Sequence, residues 1–291
     1  MADVEKLVSH DAQVGHTRVR RAIPQRGRRT VGAWCFADHM GPLAVEPQSG
    51  LDVAPHPHYG LATVTWLVEG AALHRDSLGS EQAIRAGEVN LMVAGYGVAH
   101  SEEALVDYRG ALEGIQLWVA LSDRERAGAA SFTHRGDLPR FVEGDSDLTL
   151  VVGCWAGTES LLLDSDLLGA EARVHGMSAI PLRRDFEHAV VALRGRCVVH
   201  GVPVTPGESA YLSSGLDETT LVSTDAVVMI IGGVPLARPP FMWWNFVGDS
   251  REDVEQAYLD WRDHSERFGP VASPLTRLEA PTPWWIPTTD A

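Results

Sequence analysis

Two similar β-barrels followed by one short C-terminal helix, an all-β architecture, is the fold the sequence predicts, and three features predict it. Short β-branched runs punctuated by Gly and Pro fill most of the chain, among them Thr63 to Val68, Glu88 to Val93, Leu148 to Val152, Ala189 to Leu193 and Val227 to Ile231. Strands of this length and spacing build barrels or sandwiches. One arrangement occurs twice, as TVTWLVEG (63–70) then AGEVNLMVAG (86–95), and as AVVALRG (189–195) then PGESAYLSSG (206–215). In each, a strand ends at a Gly turn and another Gly opens the next strand, so duplication of one unit accounts for both halves. Finally, 291 residues exceed the usual length of one domain. A stretch rich in Gly, Asp and Arg between about 125 and 150 separates the units, giving an N-terminal barrel over 1–135 and a C-terminal barrel with helix and tail over 136–291.

The helix is placed by Ser250, a capping residue with Asp253 three positions on, and by Val254, Ala257, Tyr258 and Trp261 on one face. Gly269-Pro270 is its expected stop. The tail carries Trp243, Trp244, Trp284 and Trp285, whose expected work is to staple it across the barrels rather than to touch a ligand.

Composition narrows the function classes. The AVILMFWYC set supplies 45% of residues and charged residues 22%, values of an ordinary globular protein. No apolar run reaches the roughly 18 residues of a membrane span, and MADVEKLVSHDAQ has neither a basic nor an apolar leader region, so a cytoplasmic location without membrane contact is expected. Cys35, Cys154 and Cys197 are scattered, which argues against a disulfide framework and a cysteine-rich zinc site. A net charge of -15 repels nucleic acid, and the early cluster Arg18, Arg20, Arg21, Arg26, Arg28 and Arg29 is expected to pair with surface carboxylates instead.

A metal site is suggested by two short pairs. His56-Pro57-His58 precedes the strand at 63, and Pro57 holds the segment extended. Residues i and i+2 of an extended chain point the same way, about 6.6 Å apart, so two imidazoles can converge on one ion. His100-Ser101-Glu102 repeats the spacing with an imidazole and a carboxylate. Such a donor set suits one divalent ion of iron, nickel, copper, manganese or zinc in the N-terminal barrel, whereas calcium and magnesium prefer more oxygens. The plain alternative is that these histidines are hydrogen-bonded surface residues, which is how His74, His134, His175, His188, His200 and His264 are read. In the second unit Glu187-His188 cannot chelate, because neighbours on a strand face opposite sides.

Several segments together resemble the pirin family: VGAWCFADHMGP (31–42), PHPHYGLATVTWLVEG (55–70), HRDSLGS (74–80) and AGEVNLMVAGYGVAHSE (86–102). The later half is similar more weakly, through IIGGVPLARPP (230–240), WWNFVGDSREDVEQAYLDW (243–261) and RFG (267–269). MWWNFVG stands where the family commonly has a segment like GPFVMNT, which points to a divergent bacterial branch. The resemblance implies a bicupin whose N-terminal barrel binds iron, most commonly Fe(II), through His56, His58, His100 and Glu102, with a degenerate second barrel. Asp38-His39-Met40-Gly41-Pro42 marks the family too. Gly-Pro is expected to end a strand there, and Asp38 or His39 either packs between domains or orients a ligand imidazole.

Two functions follow from the resemblance. The first is a quercetin 2,3-dioxygenase-like oxidoreductase taking a small-molecule flavonol or other chelating enol and dioxygen, with Glu102 as the catalytic base and with Leu61, Val64 and Trp66 either lining or backing the pocket or packing in the core. The second is a non-enzymatic redox-sensing regulator that binds a transcription factor or a metabolic enzyme.

Overall fold

The structure is a computed structural model that describes residues 3–15, 17–46 and 52–287. Strands β1 (Val4–Val8), β2 (His10–Val14), β3 (Thr17–Ile23) and β4 (Trp34–Val45) open the chain. The first barrel continues through β5 (Val53–His58), β6 (Leu61–Glu69), β7 (Ala71–Asp76), β8 (Glu81–Arg85), β9 (Val89–Val93), β10 (Val98–Ala104) and β11 (Gly110–Ala120). A single helical turn, α1 (Asp123–Arg126), leads to β12 (Ser131–Arg135), β13 (Arg140–Glu143), β14 (Ser146–Trp155) and β15 (Thr158–Glu159). The second barrel adds β16 (Leu167–Val174), β17 (Met177–Pro181), β18 (Glu187–Gly195), β19 (Cys197–Val199), β20 (Val202–Val204), β21 (Glu208–Leu212), β22 (Glu218–Val222) and β23 (Ala226–Gly233). A small hairpin, β24 (Phe241–Trp243) and β25 (Phe246–Gly248), precedes helix α2 (Arg251–Arg262).

Each barrel joins a large sheet to a four-stranded one. In the first the orders are β12-β9-β6-β11-β4-β3-β2 and β5-β10-β7-β8. In the second they are β1-β21-β18-β23-β16-β14-β13 and β17-β22-β19-β20. The two sets correspond strand for strand, so the repeated sequence pattern is a repeated fold: β6 and β9 stand where β18 and β21 stand. The all-β, two-barrel architecture expected from the sequence is the one found.

The large sheets pack face to face, which explains why β6, β11, β18 and β23 are buried on both faces. Val64, Trp66, Ile115 and Leu117 from one barrel meet Val191, Leu193, Met229 and Ile231 from the other in one continuous core. Burying side chains of this size stabilises by about 1.5–3 kcal/mol each. It also decides between two expectations in favour of core packing for Val64 and Trp66. Val64 and Trp66 point away from the first barrel's interior, and Trp66 donates its indole N–H to Glu171 of the second barrel at 2.8 Å. Leu61 packs with Cys35, Phe36 and Trp118. None of the three lines the cavity described below.

The chain ends are exchanged. β1 pairs with β21 of the second barrel, from Val4 opposite Leu212 to Val8 opposite Glu208. It takes there the place that β12 takes beside β9 in the first. Conversely, α2 and its flanks pack on the first barrel, with Phe246, Val254, Tyr258, Trp261 and Phe268 closing over Tyr59 and Ala99. A division near residue 135 is kept as our proposal for the two units, with these two segments crossing it. Ser250 and Asp253 form the expected capping box, and Val254, Ala257, Tyr258 and Trp261 are the buried face. The helix stops at Arg262, short of Gly269, because His264 takes a left-handed backbone at φ 56°. Trp243 and Trp285 hold the tail as expected, Trp284 is 73% exposed, and Trp244 reaches the cavity.

Gly41-Pro42 does not end a strand. β4 runs through it, and Met40 pairs with Gly114 while Leu43 pairs with Leu112, the signature of a bulge. Upstream, the alternation of the strand sends Asp38 into the first barrel and His39 toward the second. His39 is buried, 3.1 Å from Glu113, which also pairs with Arg194 of the second barrel. Among the described residues, no helix is long and apolar enough to cross a membrane.

Candidate metal centre

The interior of the first barrel is apolar at one end, where Val19, Met40, Leu67, Ile84 and Leu112 meet, and polar at the other. Strand β5 brings His56 and His58 to the polar end, and β10 places His100 directly opposite His56. All three imidazoles are buried, and one ring nitrogen from each lies within 4.8 Å of the others. Glu102 lines the same cavity but stands apart from this group. A bulge in the β10–β5 pairing falls between His100 and Glu102, and the Thr65 hydroxyl lies 3.2 Å from Glu102 Oε1.

Hydrogen bonds assign the nitrogens. His56 Nδ1 donates to the Ala54 carbonyl at 2.8 Å, which leaves Nε2 with its lone pair. Nε2 of His58 and Nε2 of His100 face each other at 3.0 Å. Two nitrogens bound to one ion at about 2.1 Å and at right angles would lie about 3.0 Å apart. The spacing of His56, His58 and His100 is that of a group that could hold a divalent ion, and Glu102, the fourth member of the two sequence pairs, lies outside it.

Burial keeps these rings uncharged, as ligation requires. The His56 imidazole is pushed down to about 4, first by burial, with the Ala54 carbonyl opposing. His58 and His100 are driven well below the ordinary histidine range by burial and by their neighbouring imidazoles. Burial raises the Glu102 carboxyl.

The group opens onto a cavity of about 350 Å³. Phe36 and Trp118 stack along one side with centroids 3.9 Å apart and planes 12° apart, and the Arg21 guanidinium lies 4.3 Å from the Phe36 centroid. Arg21 also grips Asp38 with two bonds of 2.8 and 2.7 Å. Asp38 thus lines the cavity without bonding a ligand imidazole, and Arg21 pairs with a buried carboxylate rather than a surface one. Arg18 and Arg28 do pair at the surface, with Asp11 and Glu5. Trp244, Asn245 and Leu278 complete the wall from the C-terminal segment.

His74 is the functional candidate that sequence reading passed over as an ordinary hydrogen-bonded histidine. It is 3% exposed, and its Nδ1 lies 3.4 Å from Nδ1 of His100. The signal was available in HRDSLGS (74–80), where His and Asp share the i, i+2 spacing of the ligand pairs.

In the second barrel, Ser178 and Ile180 on β17 and Thr219 and Leu221 on β22 are the buried positions of the strands that correspond to β5 and β10. Glu187 and His188 do face opposite ways. Glu187 accepts from the Gly32 N–H and the Tyr211 hydroxyl, both at 2.6 Å, while His188 Nε2 is buried without a partner.

Two corresponding barrels, one carrying a buried three-histidine group, define a bicupin with a candidate metal site. Sequence comparison agrees. The Pirin family pattern matches residues 16–119, and the Pirin C-terminal cupin domain matches residues 170–269. The chain belongs to the pirin family. It is 44% identical over 290 residues to a Pseudomonas aeruginosa protein named "Putative quercetin 2,3-dioxygenase", covering 97% of this chain and 92% of the relative. A solved quercetin 2,3-dioxygenase from Acinetobacter baumannii is 37% identical, superposes with a TM-score of 0.92, and covers 99% of this chain and 97% of that one. A bacterial pirin from Escherichia coli, solved in complex with nickel(II), shares 18% identity and a TM-score of 0.66 over 80% of this chain and all of that one, a likeness of fold.

Proposed function

We propose that this protein is a mononuclear iron dioxygenase acting on flavonol-like or other chelating enol substrates. The observation that carries the reading is the junction of three uncharged, buried imidazoles with an aromatic-walled cavity of about 350 Å³, large enough for a small planar molecule. The names of the relatives point the same way. His56, His58 and His100 would hold the ion, with Glu102 as fourth ligand. Bound iron(II) supplies Lewis acidity toward the enol hydroxyl and a one-electron route to dioxygen.

The remaining work falls to side chains. Glu102, its carboxyl raised by burial above the ordinary carboxylate range, is the group placed to take the enol proton. Phe36 and Trp118 offer a stacked wall that orients a planar ring. Arg21, its charge balanced by Asp38, offers its remaining N–H edge to a polar substituent. Trp244 and Leu278 exclude water.

Iron-loaded protein is expected to consume oxygen with quercetin in an oxygen electrode. His56→Ala should lose both iron and turnover. Glu102→Ala should lose turnover by about 100-fold or more, the usual worth of a general base. Unchanged rates in both variants would overturn the reading.

A further inference from the structure

His74 and Asp76 lie behind the third ligand and form a chain with it. His100 Nδ1 is 3.4 Å from His74 Nδ1, His74 Nε2 is 3.0 Å from Asp76 Oδ2, and Asp76 Oδ1 accepts the backbone N–H groups of Leu78 and Ser80 at 2.9 Å each. All three side chains are 3% exposed or less. Phe132 stacks on the His74 ring with centroids 4.3 Å apart and planes 14° apart, fixing its orientation from the far side.

With one proton on each imidazole, a single placement satisfies this chain. Two backbone donors hold Asp76 as an acceptor, so His74 must carry its proton on Nε2 to meet it. His74 Nδ1 is then a bare acceptor, and among the described residues the donor beside it is His100 Nδ1–H. A proton on Nδ1 of His100 leaves the Nε2 lone pair facing His58 and the centre of the site. The Asp76 carboxylate thereby dictates, through one intervening ring, which nitrogen of His100 is free to bind a cation.

We infer that His74 and Asp76 are positioning residues that lock His100 in its ligating tautomer. The inference rests on the three histidines being the metal site, and it assigns a role to two residues outside the ligand set. Asp76→Asn is the sharp test. Its amide carbonyl would turn to the Leu78 and Ser80 N–H groups, leaving the NH2 to face His74 Nε2. His74 would then have to carry its proton on Nδ1, against His100. His74→Asn places an amide oxygen close to the position of Nδ1 and keeps an acceptor for His100, whereas His74→Leu removes it.

Zinc(II) affinity, measured by competition with a chromophoric chelator, is expected to fall about 10–100-fold in Asp76→Asn and His74→Leu, and by much less in His74→Asn. Thermal midpoints of the metal-free variants separate this from loss of folding. Nitrogen-15 spectra of the zinc-loaded wild type supply an independent readout, with His74 expected as the Nε2–H tautomer and His100 as Nδ1–H. Wild-type affinity in folded Asp76→Asn, or a His74 proton on Nδ1 in the wild type, overturns the inference. Wild-type protein that takes up no zinc overturns the metal site itself.

Discussion

At the scale of single residues, a buried imidazole is informative through what its nitrogens touch. His188 is buried in the second barrel with its Nε2 unpartnered, and burial pushes it down to about 4. Its folded value lies below the unfolded one of about 6.5. The unfolded chain therefore binds more protons between these values, and stability falls as pH drops from about 6.5 toward 4. The shift corresponds to roughly 3 kcal/mol at the acid end of that window. Urea denaturation of the metal-free protein should show this loss, and His188→Leu should reduce the slope by up to about one proton. An unaltered slope would mean that His188 is not the neutral ring described here. His188 also marks the limit of sequence reading. Adjacent strand positions on an extended chain said correctly that Glu187 and His188 part company. Spacing could not say that His74, twenty-six positions from His100, would touch it, because that contact is made by the pairing of β7 with β10.

At the scale of elements, the turn between β5 and β6 joins the ligand strand to the returning chain. Gly60 has φ +71°, and a Cβ there would fall 1.9 Å from the Val247 carbonyl oxygen. Gly60→Ala must push β25 away or strain the turn, and a cost of at least about 2 kcal/mol is expected. Chemical denaturation checks it, and a change under about 0.5 kcal/mol would show that the packing of β25 is looser than described. β25 is held on this turn by the Val247 N–H, which donates to the Tyr59 carbonyl at 2.9 Å. Helix α2 was legible because caps and apolar spacing are local signals. Its docking partner was not, since an amphipathic face announces that it is buried but not against what. Whether Val64 and Trp66 line the pocket or pack in the core is open in the sequence for a related reason. β6 is buried on both faces, and its two threonines share a face with Leu61 and Leu67, so alternation gave no clear sign of which face looked inward. Thr63 and Thr65 take that side, and Thr65 meets Glu102.

At the scale of the whole molecule, each barrel contains a piece of the other's length of chain. β1 completes the second, α2 closes the first, and a shared core with the His39–Glu113–Arg194 network joins them. Calorimetry of the metal-free protein should therefore give a single cooperative transition. Two resolved transitions would show that the barrels unfold independently. The same exchange sets an order of events during synthesis. His56, His58 and His100 leave the ribosome well before Trp244, Asn245 and Leu278. At about 5–20 residues per second the interval is on the order of 10 s. Through that interval the residues that line the cavity on its C-terminal side are still unmade, so the enclosure of the three imidazoles is completed only after the second barrel's chain has been synthesised.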